Sequence, residues 1–343
     1  MLDAHVAWQH LDGLTKPRRS LGRLEELACR LCVIQQTLEP RTTPRRLVLF
    51  AGDHGVVASG VSAWPAEVTG LMIQTIVGGK AASTVFARQF QAETIVVNVG
   101  TLHGFGDIAG SGTIAYREAR VRAGTRNLDN EPALTVEEFE QALAVGREEA
   151  RAAAQSGHRV VLAGEMGIGN TTPSACLAML LADVPLHEAV GPGAGADTAA
   201  IERKRAIVER AVARSRSVWP TQPRQAIAGV AGLEIAAMAG FYMESHRLNL
   251  TILLDGYVAT AAALIAEHLQ PGTTGSMLAA HLSAEPGHRR ALEALNLEPW
   301  LEWQMRLGEG TGALLLLPLL DAAAAMTTQM ATLASLKTGG VPS

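Results

Sequence analysis

Cysteine is nearly absent from this chain, aromatic side chains are scarce, positive charge holds no majority, and no apolar run is long enough to span a bilayer. Three cysteines in 343 residues rule out a disulfide scaffold and suit a reducing compartment. Cys29 and Cys32 do form a C-x-x-C, but in a segment that reads as a helix over 21–38 they merely share a face, and no second pair completes a zinc site. The third, Cys176, falls in another apolar helix. With 29 basic against 33 acidic residues the net charge is -4, which argues against a dedicated nucleic-acid surface. Lys16, Arg18, Arg19 and Arg23 crowd one short segment, a pattern that fits a solvated face or a small anion site. The longest apolar run, 313–320, contains Pro318 and stops at Asp321, far short of a crossing. Asp3 and His5 stand where a secretory signal would be basic and then apolar. A cytoplasmic protein with no membrane span is therefore expected.

What is present is a large, small-residue core: hydrophobic residues make up 48% against 18% charged and only 4% aromatic. A unit recurs along the chain, in which a short branched apolar run meets a glycine-containing turn and then an alanine-rich segment of helical spacing. Leu47-Val48-Leu49-Phe50-Ala51 leads into Gly52-Asp53-His54-Gly55, and Thr94-Ile95-Val96-Val97-Asn98-Val99 leads into Gly100. Val160-Val161-Leu162-Ala163 leads into the 164–169 turn, and Thr251-Ile252-Leu253-Leu254 into Asp255-Gly256. Four such units predict an open, mostly parallel, Rossmann-like α/β sheet with helices on both faces. In that architecture ligands bind beyond the carboxyl ends of the strands, where these turns lie. Residues 1–40 and 281–343 carry helical patterning instead and predict a small helical domain beside a large α/β domain of 41–280, with breaks near Arg41-Thr42-Thr43-Pro44 and Gln270-Pro271-Gly272.

Two glycine-rich segments carry candidate chemistry. Gly164-Glu165-Met166-Gly167-Ile168-Gly169-Asn170-Thr171-Thr172-Pro173 separates a strand from a helix read over 174–181. A helix start leaves about four N–H groups unpaired, its dipole favours negative charge, and glycines let a phosphate approach. The alternative is a helix start capped by Asn170 or Thr172, with no ligand. The segment matches neither common nucleotide fingerprint, so it is no sign of an ATP or NAD site. In Arg306-Leu307-Gly308-Glu309-Gly310-Thr311-Gly312 a single carboxylate sits among three glycines between apolar stretches. Such a loop either holds a base whose proton affinity is raised by dry surroundings or is a turn with a solvated glutamate. Asp53-His54 reads as loop architecture, Asp255-Gly256 calls for the same reading, and the histidines show no metal-ligand spacing. The loop Gly191-Pro192-Gly193-Ala194-Gly195-Ala196-Asp197, followed by Arg203, Lys204 and Arg205, either closes on an anion or is a surface loop before a basic helix face.

Taken in order, Ser20-Leu21-Gly22-Arg23-Leu24-Glu25, Asp53-His54-Gly55-Val56, Gly60-Val61-Ser62-Ala63-Trp64-Pro65 with Val68-Thr69, the 164–172 segment, Leu254-Asp255-Gly256-Tyr257, His281-Leu282-Ser283-Ala284-Glu285 and the 305–312 segment span nearly the whole chain. Together they resemble the nicotinate-nucleotide:dimethylbenzimidazole phosphoribosyltransferase family of cobalamin assembly. The resemblance implies transfer of phosphoribose from nicotinate mononucleotide to a benzimidazole nitrogen, with no metal and no cofactor. It implies Glu309 as the catalytic base. It places Glu165, Gly167, Ile168, Gly169, Asn170, Thr171, Thr172, Gly193, Lys204 and Ser283 on the nucleotide and its phosphate. Trp64, Met72, Met166, Leu307 and Gly308 would line the acceptor pocket. A homodimer with no nucleic-acid or membrane partner is expected, although a heterodimeric or catalytically silent paralogue, or another α/β phosphoribosyltransferase, fits the same pattern. Pro17-Arg18-Arg19-Ser20 replaces the family's Pro-Pro-Gly-Ser, and Trp64, Asn98 and Ala231 also depart from it. The Trp64 change predicts altered selectivity among acceptor bases.

Overall fold

Six strands form one parallel sheet among the described residues: β1 (Arg45–Gly52), β2 (Ala92–Gly100), β3 (Ile114–Glu118), β4 (Val160–Met166), β5 (Thr251–Leu254) and β6 (Met277–Ala279). The protein is represented by a computed structural model describing residues 2–105, 112, 114–193, 195 and 197–338. Ala194 and Ala196 of the 191–197 loop, and 339–343 of the C-terminal segment, lie outside the described residues. The order β3-β2-β1-β4-β5-β6 reverses direction between β1 and β4, a switch of the kind beside which open α/β sheets bind ligands at the strands' carboxyl ends.

Alternation along the strands sorts their side chains onto two faces. Val48, Phe50, Val97, Val99, Val161, Ala163, Ile252 and Leu254 join one apolar cluster with the helices Val136–Gln155, Thr171–Leu181, Leu233–Arg247 and Tyr257–Leu269. Leu47, Leu49, Ala51, Val96, Val160, Leu162, Leu253 and Leu278 join a second cluster with the helices Ala4–Asp12, Arg23–Gln35, Glu67–Val77, Ala82–Gln89 and Thr311–Gln329. The helices from the two chain ends thus pack together, and their apolar residues run on into the sheet's own face. Small side chains allow close approach: a Cβ added at Gly146 or Gly240 would strike the backbone of the facing helix.

Four strands coincide with the apolar runs in the sequence, while β3 and β6 do not. Both are edge strands, paired on one side. β3 is half exposed and reads Ile-Ala-Tyr-Arg-Glu, and β6 is three residues long, so neither shows the continuous apolar run of a strand buried on both faces. β4 runs further than the sequence suggests. Gly164, Glu165 and Met166 are its last residues, held in register against Leu49, Phe50 and Ala51 of β1, so the turn begins at Gly167.

The helix Thr311–Gln329 contains the 313–320 run and is, among the described residues, the one helix long and apolar enough to cross a membrane. Its most apolar window is 61% buried inside the protein, and its one charged side chain, Asp321, accepts a 2.7 Å bond from the buried guanidinium of Arg45.

Candidate functional site

Parallel strands put all their carboxyl ends on one side, and a cavity of about 470 Å³ opens there. That size suits a small-molecule ligand. Its wall comes from the end of β4, from the segments that follow β4, β5 and β6, and from two stretches distant in sequence, 61–72, which runs into the helix Glu67–Val77, and 306–309. The residues expected at a site gather here: Trp64, Met72, Glu165, Met166, Gly167, Ile168, Gly169, Asn170, Thr171, Gly193, Ser283, Leu307, Gly308 and Glu309 all line the cavity. Thr172 and Lys204 do not line it but stand behind the wall, both buried. Trp64 and Leu307 are the exposed apolar side chains at its mouth.

One wall is the start of the helix Thr171–Leu181. Asn170 occupies its N-cap position, but no side chain caps the helix. The Asn170 amide is turned away, donating to Oε2 of Glu165, while Gly169 holds a φ of 90° that brings Val57 against it. Backbone bonds take the N–H groups of Asn170, Thr172 and Ser174, to the carbonyls of Gly167, Gly169 and Asn170, and Pro173 has none, so what this uncapped helix start offers the cavity is chiefly the positive end of its dipole. Lys204 reaches the same turn from behind, its Nζ donating to Thr171 Oγ1 at 2.7 Å and to the Gly191 carbonyl at 3.1 Å. Burial pushes that ammonium down to about 8, against the opposing charge of Glu285. Glu285 in turn accepts the Gly193 N–H at 3.0 Å, and Arg306 donates to the Gly193 carbonyl at 3.0 Å.

The other wall is the glutamate loop. Gly308, Glu309 and Gly310 all have positive φ, at 84°, 59° and 77°. Glycine adopts that conformation freely and glutamate does not. Gly308 is required a second time, because a Cβ there would strike the Glu165 carboxylate. Asp255 anchors the segment beyond: its Oδ2 accepts the Gly310 N–H at 3.1 Å and its Oδ1 the Ala313 N–H at 3.0 Å. The backbone of Glu309 lies directly on Gly164 of β4, where any side chain would collide with it.

Glu165, Glu309, Glu234 and Asp255 therefore form a buried acidic group. Burial raises Glu165 well above the ordinary carboxylate range, and the charges of Glu234, Asp255 and Glu309 push the same way against the Asn170 hydrogen bond. Burial also raises Glu309, as does Asp255, while Ser83 works in the opposite direction. For Asp255 burial alone would raise the pKa, but the hydrogen bond and charge of His281 and the surrounding N–H groups outweigh it and bring it below the usual value. Among the described residues, His281 Nδ1 and Glu285 Oε2 on the cavity wall and Thr172 Oγ1 behind it are buried without a partner. Unpaired buried polar atoms are uncommon and invite a ligand.

Other residues singled out in the sequence serve architecture. Nε2 of His54 meets Oε1 of Glu234 at 2.8 Å, and Asp53 accepts the Leu102 N–H at 2.8 Å, so this pair fastens two loops. In the basic segment Lys16 pairs with the buried Glu25 at 2.6 Å, and Arg18 and Arg19 meet Asp12. The guanidinium of Arg19 also lies 3.3 Å from the Trp8 ring centre. All three cysteines are buried and free, with Cys32 and Cys176 pushed up to about 12 by burial. Two residues assigned no role at the site from sequence stand against the glutamate loop: Ser83, in a helix with no motif around it, and Asp255, read as strand-end architecture and as part of a family-like segment.

A family model described as phosphoribosyltransferase matches residues 3–337. The nicotinate-nucleotide–dimethylbenzimidazole phosphoribosyltransferase of Pseudomonas putida strain KT2440 is 44% identical over 321 residues, which cover 94% of this chain and 90% of that protein. The enzyme of the same name from Ralstonia nicotianae is 44% identical over 325 residues, covering 95% and 90%. Among solved structures, CobT from Thermus thermophilus superposes with a TM-score of 0.92 at 43% identity, covering 97% of this chain and 98% of that one. Sequence order, sheet topology and similarity along nearly the full length agree, and this chain belongs to the nicotinate-nucleotide–dimethylbenzimidazole phosphoribosyltransferase family.

Proposed function

We infer that the protein transfers phosphoribose from nicotinate mononucleotide to 5,6-dimethylbenzimidazole or a related base, yielding α-ribazole 5'-phosphate and nicotinate in cobalamin nucleotide-loop assembly. The observation that carries this reading is the Glu309 carboxylate, buried in the cavity wall opposite an uncapped helix start. In this reading the phosphate lies against Gly167, Ile168, Gly169, Asn170, Thr171, Thr172 and Gly193, with Lys204 supplying charge from behind and Ser283 and Glu165 facing the ribose and nicotinate. The acceptor ring lies between Trp64, Met72, Met166, Leu307 and Gly308.

The chemistry needs one base. Glu309 takes the N–H proton of the benzimidazole as the other ring nitrogen attacks the anomeric carbon. The bond from that carbon to the pyridinium nitrogen breaks with its electron pair going to the ring, so nicotinate departs without protonation. Attack opposite the leaving ring inverts the centre and gives an α product from a β donor. Holding both rings in line supplies much of the rate. The raised proton affinity of Glu309 suits the task, since a base works best when its pKa approaches the working pH.

We further propose a cytoplasmic homodimer, with residues 1–40 and 281–343 acting as a small helical unit that presents the Glu309 loop to the 41–280 domain. The test is product formation from nicotinate mononucleotide and 5,6-dimethylbenzimidazole without added metal, followed by chromatography. The parent should form α-ribazole phosphate, and Glu309→Gln should lose activity by about 10²–10⁴-fold. Parental turnover by Glu309→Gln would remove the base assignment.

A further inference from the structure

Ser83 is fully buried, lies outside the cavity lining, and belongs to the first turn of the helix Ala82–Gln89. Its hydroxyl donates to Oε2 of Glu309 at 2.7 Å, across 226 residues of sequence. The helix has no side-chain cap of its own at Ala81, so its free N–H groups and positive dipole end stand where the carboxylate arrives. The hydroxyl and the backbone N–H of Ser83 both favour the charged carboxylate. Oε1 is left without a side-chain hydrogen-bond partner among the described residues, on a side chain that lines the cavity.

We propose that Ser83 is a positioning residue for the transfer reaction: it clamps Oε2 of Glu309 against a helix start, fixing the carboxylate so that Oε1 faces the acceptor base. The inference rests on the transferase reading above. The clamp matters because Glu309 sits at a φ of 59°, a conformation that persists only where the surroundings impose it. Asp255 and Gly164 fix its backbone. Ser83 holds the one part they leave unfixed, the end of the side chain. Other groups facing Glu309 carry charge of the wrong sign for a clamp or none that reaches it. Glu165 on β4 and Asp255 after β5 repel the carboxylate, and His281 after β6 directs Nε2 toward Asp255 Oδ1 at 3.5 Å.

The experiment compares full-length parent, Ser83→Ala and Ser83→Thr in steady-state kinetics with nicotinate mononucleotide and 5,6-dimethylbenzimidazole across pH. Loss of one hydrogen bond to a charged group predicts a fall in kcat of about tenfold or more at neutral pH for Ser83→Ala. The acid limb of its pH profile should move to higher pH, because the base must be ionised to act and its anion has lost a donor. KM for nicotinate mononucleotide should stay the same, and Ser83→Thr should recover the parental profile. Parental kcat and an unmoved acid limb in Ser83→Ala would overturn the proposal, as would a loss that Ser83→Thr fails to recover. A second measurement needs no turnover: carbon NMR of carboxyl-labelled glutamate, with Glu309 assigned through Glu309→Gln, should show Glu309 titrating higher in Ser83→Ala. An unmoved titration overturns the clamp, whereas a parent that clamps normally but makes no product counts against the transferase reading alone.

Discussion

Two glycine-rich segments, each bearing one glutamate, meet across this cavity and are held in opposite ways. Glu165 is the sixth residue of a central strand, paired in register with Phe50, and the helix after it begins six residues later, at Thr171. Its place follows from secondary structure. Glu309 belongs to no strand or helix, has a backbone conformation that costs energy, and is held from outside by Ser83, Asp255 and Gly164. A side chain mounted on regular structure tolerates the loss of one neighbour. A side chain mounted on tethers does not.

Asp255→Ala should break the comparison most severely. It removes two charge-assisted N–H bonds at once from a residue 2% exposed. A stability loss of about 3 kcal/mol is expected from such a deletion, together with a collapse of kcat. Denaturant melts of the free protein measure the first and product formation the second. A variant with unchanged melting and turnover would show that the tethers are dispensable.

Paired glycine substitutions sharpen the contrast at smaller cost. Gly308→Ala forces a methyl group toward the Glu165 carboxylate at a φ of 84° and should lower kcat about tenfold or more while leaving nicotinate mononucleotide affinity near the parental value. Gly169→Ala, at a φ of 90° against Val57, should do the reverse and weaken nucleotide binding first. Calorimetric titration beside steady-state kinetics separates them. Equal effects on both quantities in both variants would mean the loops do not divide the work.

The smallest effect is expected from Glu165→Gln and has the opposite sign. Burial and three neighbouring carboxylates raise the Glu165 pKa in the folded protein. A carboxyl whose folded pKa exceeds its unfolded one costs stability as pH rises from the ordinary glutamate range through the raised value. Removing that charge should therefore raise the melting temperature of the ligand-free protein at neutral pH, by about 2–4 °C, with no such gain in acid, where the group is already protonated. A thermal scan at both pH values decides it, and a drop in melting temperature at neutral pH would contradict the acidic-group argument.

The contrast also explains what could be read from the chain. The strand–glycine–helix unit around Glu165 is local, so a run of branched residues, three glycines and an apolar helix reveal it within about 20 residues. The carboxyl-end location of the cavity follows from the same pattern. Glu309 stood out because glycines surround it, but composition left it open between a base and a solvated turn. What separates those alternatives is long-range: Asp255 lies 55 residues from Gly310, and Ser83 lies 226 residues from Glu309. The local signal at Asp255 is only that of a strand end, and Ser83, a small residue in the first turn of the helix Ala82–Gln89, carries none. Edge strands β3 and β6 escaped for a related reason, because a strand paired on one side needs no continuous apolar run. Resemblance to a family restored part of this, placing Glu309, Lys204 and Ser283 together, but it says nothing about which side chain holds the Glu309 carboxylate.

The position of Glu309 along the chain also orders events in time. A polypeptide emerging N-terminus first has β1, β4 and the uncapped helix start of Thr171–Leu181 long before residue 309 exists. Domains made this way tend to fold as their sequence appears. On the proposed reading, the residues that would meet the phosphate all precede, in a growing chain, the glutamate that would act as base, and that glutamate is added late, when the Gly308–Gly310 turn closes over Gly164.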